Sequence, residues 1–537
     1  MKLTTLITLL ILTVSQVLLA QTLDIEKTFE VSKEAMKGFI HTVENDEAKQ
    51  QLSFIYRVRG KKNQAKFITY TFDYDFNLLN QSEETVDLTN GVPSKYKPKK
   101  YKGEAYSVEG LYVDPNMLGT LTLKRKVTSF NWNWLRMAYS WNTSVEGKLK
   151  AKTDDDQKLF YHTHLENLND GTAMILAGEK GSPKKDPFKH MMSYHFLKYD
   201  INLTKLADVT VNFETPQAVV ATYGYPLGAD DDKTDMIVVF APFKAKGYAG
   251  PKVWSKTATD YTYVRVSYDG KIIDKASFES PGSVWRVDDF VMAKDGAVYF
   301  YGPANNDKDD FFNNRLEIGD DKKKWPAFQL AKFKNGKMEF VSTTSMDEFK
   351  ARLKAQPDGK KGDSYSGRRI DVTNAVVTPT SEVILAGQNY GMSRNGKGQI
   401  IGREYEDLVM FHFDATGKLI SQYTMNKKNK GTEPDYQFFE FTADGKTMYW
   451  TYFDNVGTRP VRELDLMIEK PLGVPKMAKI NLTSGAFDKY TEFGNGENFA
   501  HYNTLNYMKF ENTNKVSFLG ENKKGSMLWF ARTALDK

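Results

Sequence analysis

The chain is written mostly in short runs of alternating or wholly apolar residues, each closed by a glycine or asparagine turn. Tyr263–Gly302 holds the clearest case. Val264-Arg265-Val266-Ser267-Tyr268, Asp269-Gly270 and Lys271-Ile272-Ile273 read as strand, turn and strand. Phe290-Val291-Met292, Lys294-Asp295-Gly296 and Ala297–Gly302 read the same way. Asp-Gly between β-branched and aromatic runs predicts a hairpin, because glycine takes positive φ without steric cost. The unit recurs at Phe72–Leu79, Tyr194–Leu203, Leu330–Phe340, Leu408–Ile420 and Met477–Phe487. With Asp75, Asp200, Asp269, Asn335, Asp414 and Asn481 as markers, the spacing is 66 to 79 residues after a first interval of 125. A weaker copy, Leu135–Lys148 with Glu146-Gly147, falls inside the long interval and brings the count to seven.

A second signal, an apolar strand ending in glycine, interleaves with the first. Ala173–Gly178, Val298–Gly302, Val383–Gly387 and Val516–Gly520 carry it. Two signals with one period predict a repeated four-stranded sheet. A closed β-propeller suits such sheets, since each buries both faces between its neighbours and closure protects the edges. The fold expected is therefore all-β, a propeller of four-stranded antiparallel blades, seven in number, against tandem sandwiches or an irregular solenoid. The period exceeds the roughly 40–50 residues of a compact blade, so the surplus belongs in long polar loops. Ala304–Trp325, Thr343–Arg369 (with a short helical Met346–Leu353), Gln388–Glu406 and Asn426–Asp435 have that composition. Near the start, Ser32–Val43 fits helical spacing. A strand Gly38–Val43 is the better reading, because Leu52–Val58, Lys66–Phe72 and Leu78–Val86 continue it as a meander.

Composition adds a compartment. Met1-Lys2, the apolar Leu3–Leu12 and Ala20-Gln21 read as a secretory signal over residues 1–20, leaving 21–537 as a single propeller domain. Leu18 is large for its place before the cut, which leaves an uncleaved anchor as the alternative. The chain has no cysteine, which excludes disulfides, thiol catalysis and a lipid-modified cysteine. Aromatic residues are abundant (Phe 34, Tyr 29, Trp 8), as strands prefer. The net charge of +6 arises from 74 basic and 68 acidic residues with both signs interspersed. So mild a surplus suits solubility and says little about a nucleic-acid partner.

No catalytic motif survives a check of spacing. The glycines of Gly362-Asp363-Ser364-Tyr365-Ser366-Gly367 do not flank a serine as a nucleophile elbow requires. Gly396-Lys397-Gly398-Gln399-Ile400-Ile401-Gly402 misses the dinucleotide spacing by one residue. His162, His164 and Glu166 would share one face of a regular strand, which makes them the metal candidate, although a hydrated strand face that needs no metal is the better reading. Acidic clusters at Asp154–Asp156, Asp230–Asp232 and Asp307–Asp310 lack the ligand alternation of a calcium loop. Nothing implies a cofactor. Lys95, Lys97, Lys99, Lys100 and Lys102, interleaved with Tyr96, Pro98 and Tyr101, repel one another and form an exposed basic run. An acidic protein face, anionic lipid or acidic polysaccharide suits it, and export argues against nucleic acid.

In its leader, absent cysteines and repeats such as Val264–Ile273 and Val383–Gly387, the chain resembles exported β-propeller proteins of Gram-negative envelopes. The WD dipeptide and the kelch double glycine are absent. The resemblance implies a periplasmic, non-enzymatic binding or scaffold subunit with a protein partner, as in the type IX secretion machinery at the outer membrane. The competing expectation is an exported hydrolase or lyase acting on glycans or peptides at the propeller mouth.

Overall fold

The computed structural model describes residues 23–536 except 60–63, 88–105, 114–120, 134–137, 154–158, 168–169, 180–190, 228–232, 243–260, 279–283, 306–323, 355–362, 426, 428–430, 464–465, 489, 495–498, 501–506, 511–512 and 523. The described residues form eight antiparallel sheets in chain order. The first is β2 (Phe39–Asp46), β3 (Gln51–Arg59), β4 (Gln64–Asp73) and β5 (Leu78–Asp87). The second has three strands, β6 (Tyr106–Val113), β7 (Thr122–Asn133) and β8 (Ala138–Lys150). The third is β9 (Leu159–Asn167), β10 (Thr172–Glu179), β11 (Ser193–Tyr199) and β12 (Lys205–Asn212). The fourth is β13 (Gln217–Pro226), β14 (Thr234–Pro242), β15 (Tyr261–Val266) and β16 (Ile272–Phe278).

The fifth joins β17 (Val284–Trp285) and β18 (Asp289–Met292) to β19 (Val298–Asn305), β20 (Ala327–Lys334) and β21 (Lys337–Ser345). Helix α1 (Met346–Arg352) follows, started by a capping box between Ser345 and Glu348. The sixth is β22 (Ile370–Val377), β23 (Val383–Arg394), β24 (Ile400–Phe413) and β25 (Leu419–Met425). The seventh holds β26 (Gln437–Phe441), β27 (Thr447–Glu463), β28 (Leu466–Asn481), β29 (Ala486–Phe487) and β30 (Thr491–Glu492). The eighth is composite. It takes β31 (Phe499–Ala500), β32 (Tyr507–Lys509), β33 (Lys515–Asn522) and β34 (Met527–Ala534) from the end of the chain and β1 (Leu23–Glu30) from its start.

Sheets stack on their neighbours through shared cores. Leu519, Leu528 and Phe530 of the eighth sheet pack with Phe54, Ile68 and Phe72 of the first. Separate clusters join the second to the third sheet, the third to the fourth, and so on round to the eighth. Each fully buried aliphatic or aromatic side chain contributes about 1.5–3 kcal/mol, so the faces joined by these clusters hold neighbouring sheets together. First strands of successive sheets touch (β9 with β13, β18 with β22, β22 with β26), which puts them on the inside of the ring. The fold is the expected all-β propeller.

The described sheets and the marker turns do not match one to one. Six of the seven markers are third-to-fourth connections, one per sheet. Glu146-Gly147 is not a turn: the register slips from Arg125↔Gly147 to Lys126↔Val145, so Glu146 is a bulge within β8. The eighth sheet carries no marker because its outer strand comes from the far end of the chain. The described residues thus hold eight sheets, consistent with the propeller of seven or eight blades. The glycine-ended strands are all second strands, β10, β19, β23 and β33. Close approach explains two of those glycines: a Cβ on Gly302 would lie 1.9 Å from the Arg286 oxygen, and one on Gly387 2.1 Å from the Asp371 oxygen. The meander at Gly38–Val43 and the helix at Met346 form as read. Gln388–Glu406 does not form a loop, because most of it extends β23 and β24.

Tight turns share one mechanism. Their first residue accepts backbone N–H bonds, as Asp73 does from Asp75 and Asn77 and Asp414 from Thr416 and Lys418. The fourth residue then takes positive φ, +79° at Gly270 and +82° at Gly417. Asn335-Gly336 is a two-residue hairpin with both φ values positive.

Candidate partner-binding face

Alternating strand direction divides the connections of the seven sheets with four or more strands between two sides of the ring. First-to-second and third-to-fourth connections lie on one side, and the described ones are short turns. Second-to-third connections and the crossovers between sheets lie on the other. On that side lie the strand ends joined by the long stretches 180–192, 243–260, 306–326 and 346–369, together with two protruding hairpins. In the sixth sheet, β23 and β24 pair with each other from Tyr390↔Tyr405 out to Arg394↔Ile400, beyond β22 and β25. In the seventh, β27 and β28 run as a pair from Phe453↔Pro475 to Glu463↔Leu466, and β27 reaches β2 of the first sheet.

The densest polar cluster of this side sits between the fifth and sixth sheets, at the foot of the first hairpin. The Arg286 guanidinium lies 2.6 Å from Asp288 just ahead of β18. Burial pushes the Asp288 carboxyl up to about 6 against the pull of Arg286, while 21% of the side chain remains open to exchange a proton. Burial also raises Asp289. On β22, Asp371 accepts from Arg403 at 2.8 Å and from the Tyr405 hydroxyl at 2.7 Å. Arg403 lies over the Tyr390 ring, 4.6 Å from its centre. Arg368 meets Glu406 at 3.2 Å. A narrow crevice lined by Arg286, Asp288, Trp325, Tyr365, Arg368 and Tyr390 opens among them.

Behind it lies a buried polar support. Gln388, fully buried, donates to the Glu406 carbonyl at 2.9 Å and accepts from the Asp435 backbone, and Lys427 pairs with the Asp435 carboxylate. Asp288 and Asp371 therefore each face a cation. Such carboxylates hold guanidinium groups in fixed directions, which suits recognition better than proton abstraction.

The residues singled out by sequence fare differently. A β-bulge opposite Leu176/Ala177 makes the register skip from Thr163 to Tyr161, past His162. It turns the imidazole toward Met191 at 3.3 Å and the Tyr194 ring, where burial pushes it down to about 4. His164 instead bonds the Tyr161 hydroxyl at 2.6 Å and Glu166 at 3.1 Å. Strict alternation predicted one shared face for the three; the bulge sends His162 to the other. Among the described residues no three His, Cys, Asp or Glu side chains come close enough to hold a metal ion. Lys95 to Lys102 and the three acidic clusters lie outside the described residues; the connection with the lysines begins where β5 ends, on the long-connection side. Sequence reading missed Asp288, Asp371, Arg403 and Tyr405. The one signal pointing there was the glycine ending β19 and β23, since Gly302 and Gly387 admit the backbone just before β18 and at the start of β22.

No family model matches the sequence, and no curated protein matches it. Solved structures that the chain is similar to include Sqt1 of Saccharomyces cerevisiae, at 10% identity over 96% of this chain and 99% of that one, TM-score 0.29. A lignostilbene dioxygenase of Pseudomonas brassicacearum is 13% identical over 80% of this chain and 89% of its own, TM-score 0.30. The WD40 domain of SCAP from fission yeast is 8% identical over 95% and 98%, TM-score 0.23.

Proposed function

We propose that the chain is an exported, non-enzymatic binding or scaffold protein of a Gram-negative envelope assembly, an accessory subunit of an outer-membrane secretion channel of the type IX kind. The observation that supports this reading is the division of the ring into a side of short turns and a side of long connections and protruding hairpins. Loops and arms on a rigid scaffold are where a propeller meets its partners. Lys95, Lys97, Lys99, Lys100 and Lys102 add salt-sensitive attraction for an acidic protein surface, acting over roughly 8–10 Å. A photo-crosslinking residue at Ile401, 65% exposed on the hairpin, tests this against one at Thr416 in a turn of the other side. In native envelopes the first forms protein adducts and the second does not. Equal adduct formation from both positions would sink the reading. The alternative, an exported hydrolase or lyase, draws on Asp288, a carboxyl that burial pushes up to about 6 beside Asp289. Turnover of an envelope glycan or peptide by purified protein, lost in Asp288→Asn, would establish it instead.

A further inference from the structure

We propose that the outward edge of β23 beyond Asn389, with the arginine-lined crevice at its foot, takes an extended peptide that ends there in a free carboxylate. The inference rests on the partner-binding reading of this side and specifies the partner's chemistry. β22 begins at Ile370, opposite Asn389, whereas β23 continues to Arg394. Among the described residues no strand pairs with β23 past that point on this edge. The Tyr390 N–H reaches the Arg369 oxygen at 3.1 Å, and Tyr405 on the opposite edge donates to Gly431 at 2.8 Å. The Tyr390–Tyr405 pair therefore directs its backbone groups out of the hairpin. Two residues further out Met392 pairs with Arg403, and antiparallel alternation turns the Met392 N–H and C=O outward as well.

Direction then fixes what the guest presents. A strand added antiparallel to β23 runs as β22 does, from the hairpin tip toward the ring. Its path stops at Tyr390, where Arg369 already holds the N–H. A chain arriving there ends, and its terminal carboxylate meets the crevice with Arg368, whose side chain is 51% exposed beside Glu406. A guanidinium takes a carboxylate through two parallel N–H bonds, and backbone pairing along the edge supplies the rest of the affinity.

Comparison with the neighbouring hairpin supports the choice. There Pro460 and Pro471 interrupt both edges, the usual protection against strand addition. Residues 390–405 contain no proline, and their one lysine, Lys397, sits at the tip. Gly391 and Gly402 have nothing within 4 Å of a Cβ position, which leaves room for an approaching backbone. At the hairpin and its foot Arg368, Arg369, Arg394, Lys397 and Arg403 outnumber Asp371, Glu404 and Glu406, and the net positive sign suits a carboxylate terminus.

The test selects random decapeptides displayed with free C-termini on the intact chain. Enriched peptides should carry β-branched residues at alternate positions and bind about tenfold or more weakly once amidated, since the charge-assisted bond is lost. Met392→Pro removes the outward N–H but spares the bonds between β23 and β24, and should weaken binding by a similar factor; Met392→Ala should not. Hydrogen exchange on the unaltered chain gives an independent readout: bound peptide should slow the Met392 amide. No enrichment, equal binding to Met392→Pro, or an unchanged Met392 amide would each overturn strand addition. Adducts from Ile401 and not from Thr416 would in that case leave the partner-binding reading standing.

Discussion

Phe76 and Leu203 stand where other turns place glycine, with φ of +59° and +67°. That conformation costs a side chain roughly 1–2 kcal/mol. Phe76 outweighs it by burial, stacking 5.0 Å from Phe530 of the eighth sheet, and so ties a surface turn to ring closure. Phe76→Ala should destabilise by about 3–5 kcal/mol in urea unfolding, and Phe76→Gly by about 1 kcal/mol less, because only glycine releases the backbone strain. Equal losses would show that no strain is held there. A second residue gives stability a pH dependence. Burial disfavours a charged His195, but Asp208 at 2.9 Å and Glu179 at 2.8 Å outweigh it and raise the imidazole above its ordinary value. The stabilisation is complete below the unfolded pKa of about 6.5 and lost as pH rises through the higher folded value. Urea midpoints should therefore fall across that window and stop doing so in His195→Gln. Sequence could not show either pairing, since Glu179, His195 and Asp208 meet only across three strands.

Elements whose chemistry is local were the legible ones. The first sheet read correctly because alternating apolar residues and polar turns lie within fifty residues of one another. The hairpin at 390–405 did not, because glycine and polar side chains are the composition of a loop, and its strands are held by backbone pairing and by Arg403, Tyr390 and Tyr405 at its foot, contacts that sequence does not show. The histidine site failed for a similar reason: a single bulge reverses the side-chain period, and no residue of β9 announces it. The candidate face was least legible, since Arg286, Asp288, Asp371 and Arg403 converge from separate sheets and crossovers. Replacing 391–404 by Asn-Gly should leave stability within ~1 kcal/mol, because the lost Arg403–Asp371 pair is largely exposed. Ile401 adducts and peptide binding depend on the hairpin, so a cut that leaves peptide binding intact would place the site elsewhere.

At the scale of the whole molecule, closure depends on eight residues. Trp529 donates to Glu26 at 2.8 Å, Arg532 reaches Asp24 and Asp75, and Phe29 packs on Tyr70 and Phe72. Removing Leu23–Glu30 should replace a cooperative unfolding transition by a broad one, and the same eight-residue peptide supplied separately should restore it. A sharp transition in the shortened chain would mean the ring holds without that strand. The pairing of Leu23 with Thr533 carries a topological consequence. Where the fourth sheet has Asp269-Gly270 between its outer two strands, the eighth sets Leu23 of β1 beside Thr533 of β34 with no turn joining them. The path through the fold is thus an almost endless loop, interrupted at one of several equivalent corners. Bridging Ala534 to Leu23 and opening the chain at Asp269-Gly270 should give a permuted protein with the same blades in the same order.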